Sequence, residues 1–268
     1  MEEMKKVKFT KMVASGNDFV VIRLSGYPHK RLAKFSRSIC DRKFGIGADG
    51  LLVLAKSKAV DIKMRIFNAD GSEAEMCGNG ARCVALYGSK KLIKIETKAG
   101  IIAAHVNGNN VRIKLADPKN LKTNIPLKIN GRLLRVNFVN TGVPHTIIFV
   151  EGLDKIDVVG LGRQIRYHRK FAPQGTNVDF VEVLNNNSIK IRTYERGVED
   201  ETLACGTGAA ASALAAGCQL PVASCQRINV HTKGGDILKV YFAREGNRFR
   251  NVWLEGKAKI VYKGEYYV

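Results

Sequence analysis

The sequence predicts an α+β protein of two pseudo-symmetric lobes, each a curved β-sheet or barrel wrapped around a central α-helix. Three observations predict this fold class. Five short segments recur in the same order in both halves of the 268 residues, short strands precede each recurring glycine turn, and a helix of small residues follows it. One recurrence would be coincidence, whereas five in the same order indicate a duplicated unit.

The halves join at residues 116–120, a polar stretch that contains a proline. We therefore predict an N-terminal lobe at 1–118 and a C-terminal lobe at 119–258, with an active site in the cleft between them. The recurring segments begin at Ser15 and Thr141, Gly45 and Gly175, Ile62 and Ile189, Glu75 and Leu203, and Thr97 and Thr232, at shifts from 126 to 135.

Each lobe has the same predicted elements. Apolar residues alternate at 61–67, as in a strand. Small-residue helices are predicted at 81–87 and 209–216, and Gly217 is expected to cap the second. Because this second helix has almost no polar face, we expect it to be buried inside its sheet. β-Hairpins are expected at 106–111 and 244–249.

The composition is that of a globular protein, with 45% hydrophobic and 25% charged residues. No run of about 18 apolar residues occurs, and no apolar signal core lies near the N-terminus. We therefore expect a cytoplasmic protein with no membrane partner. Six cysteines are too few for a disulfide-stapled scaffold, and a reducing compartment suits free thiols.

The formal net charge of +20 has two interpretations. Clustered Lys and Arg would bind nucleic acid by releasing counterions from phosphate. Here the basic residues are spread along the chain in short clusters, and no nucleic-acid module accompanies them. We therefore expect no nucleic-acid partner and interpret the charge as a basic surface or a field that attracts anions. A basic RNA-binding protein with inert cysteines is the alternative from another class.

A Cys-Gly-x-Gly turn opens both small-residue helices, at Cys77 and at Cys205. Glycine lets the backbone approach a ligand closely, and the first N–H groups of a helix have no internal partners. These groups and the helix dipole attract a carboxylate and lower the pKa of a nearby thiol. Each half therefore predicts a reactive cysteine beside a carboxylate cradle.

The duplication gives Cys77 and Cys205 a joint function. Thiols on opposite faces of one substrate can remove an α-proton on one side and return a proton on the other, which inverts the centre. The alternative, a pair of small buried hydrophobes, explains poorly why both stand in equivalent glycine turns. No Cys-x-x-Cys pair occurs, so no metal is expected. The cysteines without this setting are Cys40, Cys83, Cys218 and Cys225.

Residues 45–50 match the glycine pattern of a dinucleotide-binding loop. That motif requires a strand before it and a helix after it. Here the order is reversed, because 36–44 has a helical pattern and 51–54 a strand pattern. We therefore expect no nucleotide cofactor.

Polar residues at equivalent strand ends, just before the cysteine turns, are candidates for a substrate clamp. Loop asparagines often form turns, and an Arg–Glu pair can be purely structural. The position of these residues just before the cysteine turns nevertheless favours substrate binding. The fork of Arg196 suits a carboxylate, and Glu195 suits an ammonium group. For His145 two roles remain open: it lines the site, or it holds the loop after Pro144. The candidates are Asn17, Asn68, Asn177, Glu195 and Arg196.

These motifs closely resemble the diaminopimelate epimerase family. The resemblance runs from about Phe9 to Lys259, and its two cysteine motifs are highly specific. It implies the family's two-lobed fold and the interconversion of LL- and meso-2,6-diaminopimelate without metal or pyridoxal phosphate, in lysine and peptidoglycan precursor synthesis. The matching segments are 15–19, 45–50, 67–72, 76–82, 194–197 and 204–208.

The resemblance also implies roles for single residues. Cys77 and Cys205 become the acid/base pair, and the tail 259–268 returns to the first lobe. The carboxylate cradle consists of Gly78, Asn79, Gly206 and Thr207. The substrate-binding set consists of Asn17, Asn68, Asn177, Glu195 and Arg196.

One residue departs from the family pattern. Many members have Asn in a Gly-Asn-Pro-His loop where this chain has Val143, so one polar contact to substrate is missing or supplied otherwise. This leaves open a related two-cysteine racemase with a different substrate. The expected partner is a small diamino acid, and the sequence leaves a homodimer open.

Overall fold

A computed structural model describes residues 6–24, 31–219, 225–246 and 248–268, except for the side chains of 225 and 226. The side chain of Cys225, one of the cysteines outside the Cys-Gly-x-Gly turns, therefore lies outside the described part. The chain divides into two compact units, Met1–Ile113 with Gly256–Val268, and Lys114–Glu255. No helix in the described ranges is both long and apolar enough to cross a membrane.

The described elements, in chain order, are mostly strands. The strands are β1 Lys6–Ala14, β2 Asn17–Arg23, β3 Gly50–Ala55, β4 Ile62–Asn68, β5 Glu73–Ala74, β6 Leu92–Thr97, β7 Gly100–Asn107, β8 Asn110–Lys114, β9 Lys119–Ile129, β10 Arg132–Asn140, β11 Pro144–Phe149, β12 Asn177–Asn185, β13 Ser188–Glu195, β14 Asp200–Thr202, β15 Cys225–His231, β16 Ile237–Glu245, β17 Arg248–Lys257 and β18 Lys259–Tyr267. The helices are α1 Leu32–Cys40, α2 Gly78–Tyr87, α3 Val158–Arg166 and α4 Gly206–Gln219, with 3₁₀ turns at Leu153–Lys155 and Arg169–Phe171.

In the first unit, hydrogen-bonded neighbours follow the order β18, β1, β2, β3, β4, β6, β7, β8. The pairs β2–β3 and β4–β6 are parallel and the others antiparallel, while β5 pairs with the end of β4. A parallel pair needs a long crossover. The first crossover contains α1, and the second contains β5 and α2.

The second unit repeats this topology. Its order is β9, β10, β11, β12, β13, β15, β16, β17, with parallel pairs β11–β12 and β13–β15. The short strand β14 pairs with β13, as β5 does with β4. The crossovers contain α3 and then β14 with α4. The fold class predicted from the recurring segments is confirmed, with β9 in the position that β18 has in the first unit.

Strand registers define which positions of the two units correspond. Phe19 lies opposite Gly50, and His145 lies opposite Asn177. Gly50 therefore corresponds to Asn177, a shift of 127. The match between 45–54 and 175–184, which implies a shift of 130, was wrong in detail. Loops can share glycines and still differ in length, whereas hydrogen-bonded strands fix the register.

An ion pair recurs at corresponding positions of the two units. Arg65 Nε lies 2.7 Å from Glu73 Oε1, and Arg192 Nε lies 2.7 Å from Glu201 Oε1. A second nitrogen of each guanidinium contacts the other carboxylate oxygen, at 3.1 and 2.8 Å. Such forks are geometrically specific, and they hold β5 and β14 against β4 and β13 just before the cysteine turns. The duplication therefore extends to side-chain geometry.

The helix α4 lies in the core of its unit. All residues from Gly208 to Gly217 are buried, and they contact strands β10 to β13, β15 and β16. Because most of these residues are alanine or glycine, strand side chains can approach the helix from every direction. The predicted burial of this helix is confirmed.

The prediction that Gly217 caps this helix was wrong, because α4 continues to Gln219. A Cβ atom at Gly217 would lie 2.8 Å from Phe242 Cζ. The glycine is therefore explained by close packing against an aromatic ring and not by a helix end.

Both predicted hairpins form. Asn107 pairs with Asn110, and Glu245 pairs with Arg248, while Asn247 lies outside the described residues. The glycine segment 45–50 follows α1 and precedes β3, which is the predicted reversal of the dinucleotide-binding order.

Leu214→Ala tests the packing of α4. Leu214 is fully buried, so the substitution should leave a cavity and lower the free energy of unfolding by about 2–5 kcal/mol. Leu133→Ala is the matched control, since Leu133 is 63% exposed and its truncation should change that free energy by less than ~0.5 kcal/mol. Urea denaturation followed by circular dichroism measures both. Equal losses would contradict the burial of α4.

Candidate active site

Each candidate cysteine is the residue immediately before a buried helix. Cys77 has an extended backbone, with φ −141° and ψ 121°, and α2 begins at the next residue. Its Sγ accepts the N–H of Gly80 at 3.4 Å, and Cys205 Sγ accepts the N–H of Gly208 at the same distance. Each sulfur therefore satisfies one of the first-turn N–H groups that the helix cannot satisfy itself.

The two sulfurs differ in exposure and in charge environment. Cys77 is half-buried, whereas Cys205 is 5% exposed. Burial raises the pKa of the Cys205 thiol well above its ordinary value, and the negative charges of Glu195 and Asp179 raise it further. Hydrogen bonds from Thr207 and Gly208 oppose this rise. The prediction that the helix start lowers the thiol pKa was wrong for Cys205, because desolvation of the thiolate outweighs the first-turn donors.

In the first unit, a hydrogen-bond chain joins two predicted binding residues. Asn79 Nδ2 donates to Asn17 Oδ1 at 2.6 Å, and Asn17 Nδ2 donates to Asp49 Oδ2 at 3.0 Å. On the other side, Arg82 Nη2 donates to Asn79 Oδ1 at 2.6 Å and to Ser15 Oγ at 2.8 Å. Asn17 and Asn79 are therefore held in fixed orientations beside the Cys77 turn.

An ionic cluster lies behind Asn17. Lys11 Nζ contacts Asp18 Oδ2 at 2.7 Å, and Arg42 contacts both Asp18 and Asp49, at 2.9 and 2.8 Å. Burial acts to raise the pKa of Asp18, but hydrogen bonds from Arg42 and Lys11 outweigh it and hold that pKa at about 2. The ionised cluster anchors Asp49, the acceptor for Asn17.

Asn68 lies at the end of β4, opposite Gly50, and its Nδ2 donates to Ser72 Oγ at 2.9 Å. It is exposed. Glu195 ends β13 at the corresponding position of the second unit, and burial raises the pKa of its carboxyl above the ordinary range. The prediction that polar residues end equivalent strands is therefore matched by the placement of Asn68 and Glu195.

In the second unit, His145 is fully buried at the centre of a polar cluster. Its Nδ1 lies 2.7 Å from Asp179 Oδ2, and its Nε2 lies 3.0 Å from Thr207 Oγ1. Thr207 Oγ1 lies 3.4 Å from Cys205 Sγ. His145, which the sequence left open between two roles, is therefore two hydrogen-bond contacts away from the cysteine sulfur.

Asn177 connects this cluster to Arg196. Its Nδ2 lies 3.3 Å from His145 Nε2, and its Oδ1 accepts the backbone N–H of Arg196 at 2.7 Å. The Arg196 guanidinium donates to the carbonyl of Gln174 at 3.3 Å. Within the second unit, the hydrogen bonds thus bring together Cys205, Thr207, Asn177 and Arg196.

Val143, the departure from the family pattern, is half-buried in the loop before His145. Its carbonyl accepts the N–H of Thr141 at 3.1 Å, and Gly142 between them has φ +109°. The loop conformation is set by this backbone bond and by the glycine, which tolerates the positive φ. The side chain at position 143 adds an apolar group where an amide was expected.

Sequence reasoning missed Asp179 and Arg82, which are both fully buried. Each had a visible signal. Asp179 is a charge between Val178 and Phe180 in the buried part of β12, and Arg82 is a charge inside a helix of small residues. Buried charges persist only where they are paired or hydrogen-bonded, so both positions indicated a polar network.

Solved structures of other proteins share the fold of this chain. The structure of a PhzF-family phenazine biosynthesis protein from Bacillus anthracis has a TM-score of 0.77 at 17% identity and covers 99% of this chain and 100% of that one. The structure of a hydroxyproline epimerase from Agrobacterium vitis, with bound trans-4-hydroxy-L-proline, has a TM-score of 0.72 at 15% identity and covers 100% and 94%. The protein therefore has the two-unit fold shared by PhzF proteins and amino-acid epimerases.

Sequence comparison identifies the family of the protein. The diaminopimelate epimerase family model matches residues 9–120 and 137–261. Diaminopimelate epimerase of Caldanaerobacter subterraneus subsp. tengcongensis is 43% identical over 97% of this chain and 99% of the relative, and that of Aquifex aeolicus is 40% identical over 96% and 97%. The chain belongs to the diaminopimelate epimerase family and is an isomerase of the epimerase class. The resemblance drawn from the motifs is confirmed.

Gly208→Ala and Gly80→Ala form a matched pair that tests the two helix starts. At Gly208 a Cβ atom would collide with Oδ1 of Asp179, a carboxylate held in place by Thr193 at Oδ1 and by His145 at Oδ2. At Gly80 it would lie 3.1 Å from Leu52 Cδ2, and a methyl group can shift by a few tenths of an ångström.

We expect Gly208→Ala to lower the free energy of unfolding by about 1–3 kcal/mol and Gly80→Ala by less, since the gain in helix propensity is common to both. Urea denaturation of the two variants beside the wild type gives the order. A larger loss for Gly80→Ala would contradict the rigid placement of Asp179.

Proposed function

We propose that the protein interconverts LL-2,6-diaminopimelate and meso-2,6-diaminopimelate by moving the α-proton between Cys77 and Cys205. One observation carries the proposal. In a chain of this family, both cysteines stand at the start of a buried helix, and each sulfur accepts the N–H three residues further on at 3.4 Å. We further propose that the reaction uses no metal and no pyridoxal phosphate, and that it runs in the cytoplasm for lysine and peptidoglycan precursors.

The proposed step is a proton transfer on each face of Cα. The thiolate of one cysteine takes the α-hydrogen as a proton, and the C–H electron pair stays on the substrate and spreads into its carboxylate. The thiol of the other cysteine then donates its proton to the opposite face of Cα. The centre is inverted, and the two sulfurs have exchanged protonation states.

The carboxylate takes on negative charge as the carbanion forms. The N–H groups of Gly78 and Asn79 in one unit, and of Gly206 and Thr207 in the other, lie in the first turns of α2 and α4. Donors at helix starts are oriented before the reaction and therefore stabilise the charge at little cost in reorganisation. We assign these four residues to the carboxylate at the reacting centre.

The raised pKa of Cys205 supports a division of labour between the sulfurs. A thiol whose pKa lies well above the ordinary value remains protonated at neutral pH, so Cys205 begins as the acid. Cys77, half-buried in the first unit, would then begin as the base. In the reverse reaction the two residues exchange these roles.

The rest of the predicted clamp would hold the far end of the substrate. The fixed Asn17, the strand-end residues Asn68 and Glu195, and the linked pair Asn177 and Arg196 offer amide, carboxylate and guanidinium groups for a second amino-acid end. We assign them to the carboxylates and ammonium groups of a diamino diacid.

Val143 favours a second candidate, a two-cysteine racemase of the same family with a different substrate. An apolar side chain in this loop cannot donate or accept a hydrogen bond with a distal carboxylate. Loss of α-hydrogen in D₂O, measured by NMR over LL-diaminopimelate, proline, trans-4-hydroxyproline and glutamate, separates the candidates. Exchange confined to diaminopimelate supports the proposal, and exchange confined to another amino acid contradicts it.

Cys77→Ser and Cys205→Ser should each reduce the conversion of LL- to meso-diaminopimelate by about 10²–10⁴-fold or more, because a serine hydroxyl is a far weaker acid than a thiol. Cys218→Ser is the matched control, since Cys218 lies in the last turn of α4, away from the helix start, and should keep wild-type activity. Full activity in either catalytic variant would overturn the two-base mechanism.

A further inference from the structure

Glu199 lies in the tight turn that holds two residues of the proposed substrate clamp. The turn joins β13 to β14, and Glu195 and Arg196 stand at its start. The backbone N–H of Glu199 donates to the Glu195 carbonyl at 2.8 Å, which closes the turn. The placement of both clamp side chains therefore depends on the conformation of this turn.

The backbone of Glu199 is in the left-handed region, with φ +60°. This conformation costs free energy for a residue with a side chain, because the Cβ atom approaches a backbone carbonyl. The other non-glycine residues with positive φ in the described ranges are all asparagine or serine. A glycine would adopt the conformation without this cost, so the contacts of the glutamate side chain account for its presence.

The corresponding turn of the first unit has no left-handed glutamate. It lies between β4 and β5 and contains one left-handed residue, Gly71, with φ +83°. The second-unit turn contains two, Gly197 with φ +94° and Glu199. Since the first unit closes its turn with glycine, the shared topology does not require Glu199, which points to a task in the second unit.

The Glu199 carboxylate is the centre of the hydrogen bonds in this turn. Its Oε1 accepts the N–H of Gly197 at 3.0 Å and two donors of Arg166, Nε at 3.2 Å and Nη2 at 3.1 Å. Its Oε2 accepts the Tyr194 hydroxyl at 3.3 Å. Burial acts to raise the pKa of this carboxyl, but the Gly197 N–H, the Tyr167 hydroxyl and Arg166 outweigh it and hold that pKa below its ordinary value. The ionised side chain therefore holds the turn against α3 and β13.

Arg166 links Glu199 to the guanidinium of Arg196. Arg166 is the last residue of α3, and its side chain is 13% exposed. Its Nη1 donates to the Gln174 carbonyl at 3.2 Å, and Arg196 Nη1 donates to the same oxygen at 3.3 Å. Two cations on one oxygen repel each other, and the carboxylate of Glu199 offsets this repulsion by neutralising Arg166. A guanidinium has five N–H donors, so Arg196 can keep this bond and still bind a carboxylate.

The backbone of Arg196 is also held by Glu199. Both chain neighbours of Arg196 bond to Glu199, Glu195 through its carbonyl and Gly197 through its N–H. Between them, the Arg196 N–H donates to Asn177 Oδ1 at 2.7 Å. Glu199 therefore restrains Arg196 along the backbone on both sides and, through Arg166, at the guanidinium.

We propose that Glu199 is a positioning residue, which holds Arg196 in the orientation that receives the distal carboxylate of a diamino diacid. The inference rests on the proposed function, in which Arg196 belongs to the clamp at the far end of the substrate. A guanidinium binds a carboxylate through two parallel N–H groups only in one relative orientation, so fixing it before binding reduces the entropy lost on binding. In this role Glu199 acts through Arg196 and does not itself contact the substrate.

Glu199→Gly separates positioning from stability. Glycine adopts a positive φ without strain, so the variant loses every side-chain contact while the backbone of the turn is relaxed. The distal end takes no part in the proton transfer, so its binding energy enters KM more than kcat. We expect KM for LL-diaminopimelate to rise about tenfold, with kcat within about threefold of wild type. An unchanged KM, or a loss confined to kcat, would overturn the proposal.

Ser89→Gly is the matched control. Ser89 has φ +56° and lies just after α2 in the first unit, where its hydroxyl donates to the Tyr87 carbonyl at 3.4 Å. The same change from a left-handed residue to glycine should leave KM there at its wild-type value. An equal rise of KM in Ser89→Gly would show that relaxing any such turn weakens binding, and would overturn the assignment to Glu199.

Glu199→Gln tests rescue by a conservative change. Its amide oxygen can take the place of Oε1 and accept the Gly197 and Arg166 donors, and its NH₂ group can donate to the Tyr194 hydroxyl. The negative charge is lost. We therefore expect a KM between those of the wild type and Glu199→Gly. A KM as high as that of Glu199→Gly would make these hydrogen bonds irrelevant to binding and would overturn the proposal.

Glu199→Gly combined with Arg196→Gln tests whether Glu199 acts through Arg196. Once the guanidinium is absent, Glu199 has nothing left to position. The double variant should therefore have the same kcat/KM as Arg196→Gln alone. Losses that multiply would mean that Glu199 acts independently of Arg196, and would contradict the proposed role.

Amide hydrogen exchange tests the positioning without substrate. The N–H groups of Arg196 and Gly197 should exchange faster in Glu199→Gly than in the wild type, and at wild-type rates in Ser89→Gly. Unchanged exchange in Glu199→Gly would overturn the positioning role. Faster exchange in a protein whose turnover of diaminopimelate does not depend on Arg196 would place the failure in the proposed function and not in the turn.

Discussion

The start of a helix buried inside a sheet is the constraint on which the site depends. A helix of small residues can be enclosed by strands, but its first N–H groups then need partners that water cannot supply. In both units a cysteine sulfur accepts one of these groups, and the glycines that follow leave room for the neighbouring sheet. The remaining first-turn donors can then bind an anion. The fold therefore places a thiol beside the first-turn N–H groups of a helix for structural reasons.

The two units share one topology, but different side chains surround their helix starts. The first surrounds its helix start with Leu52 and an asparagine network, and an ionic cluster holds Asn17 from behind. The second replaces apolar core residues with His145 and Asp179, beside a more deeply buried cysteine. Symmetric backbones with unequal electrostatics suit a reaction whose two bases start in opposite protonation states. The asymmetry is as informative about mechanism as the duplication is about fold.

Much of the fold was predictable because the duplication and the glycine turns are visible as recurring segments in the sequence. The burial of α4, the recurrence of the same elements in both halves and the position of Cys77 and Cys205 before helices followed from periodicity and recurrence. What escaped prediction depends on three-dimensional neighbours. Gly217 was assigned to a helix end, although a ring from β16 explains it, and the Cys205 pKa was assigned to the helix dipole when burial decides it. The partnership of Asp179 with His145 joins residues 34 positions apart, which no local pattern encodes.

The central claim is that two bases act on opposite faces of one carbon. Its most direct test is the incorporation of deuterium while substrate molecules are converted for the first time. LL-diaminopimelate is incubated in D₂O and stopped at low conversion, and deuterium at Cα is measured separately in the meso product and in the remaining LL substrate. Two cysteines acting in turn should place deuterium in the product while the unreacted substrate keeps its hydrogen. Deuterium entering the recovered substrate as fast as the product would mean that a single base serves both faces, and would contradict the mechanism.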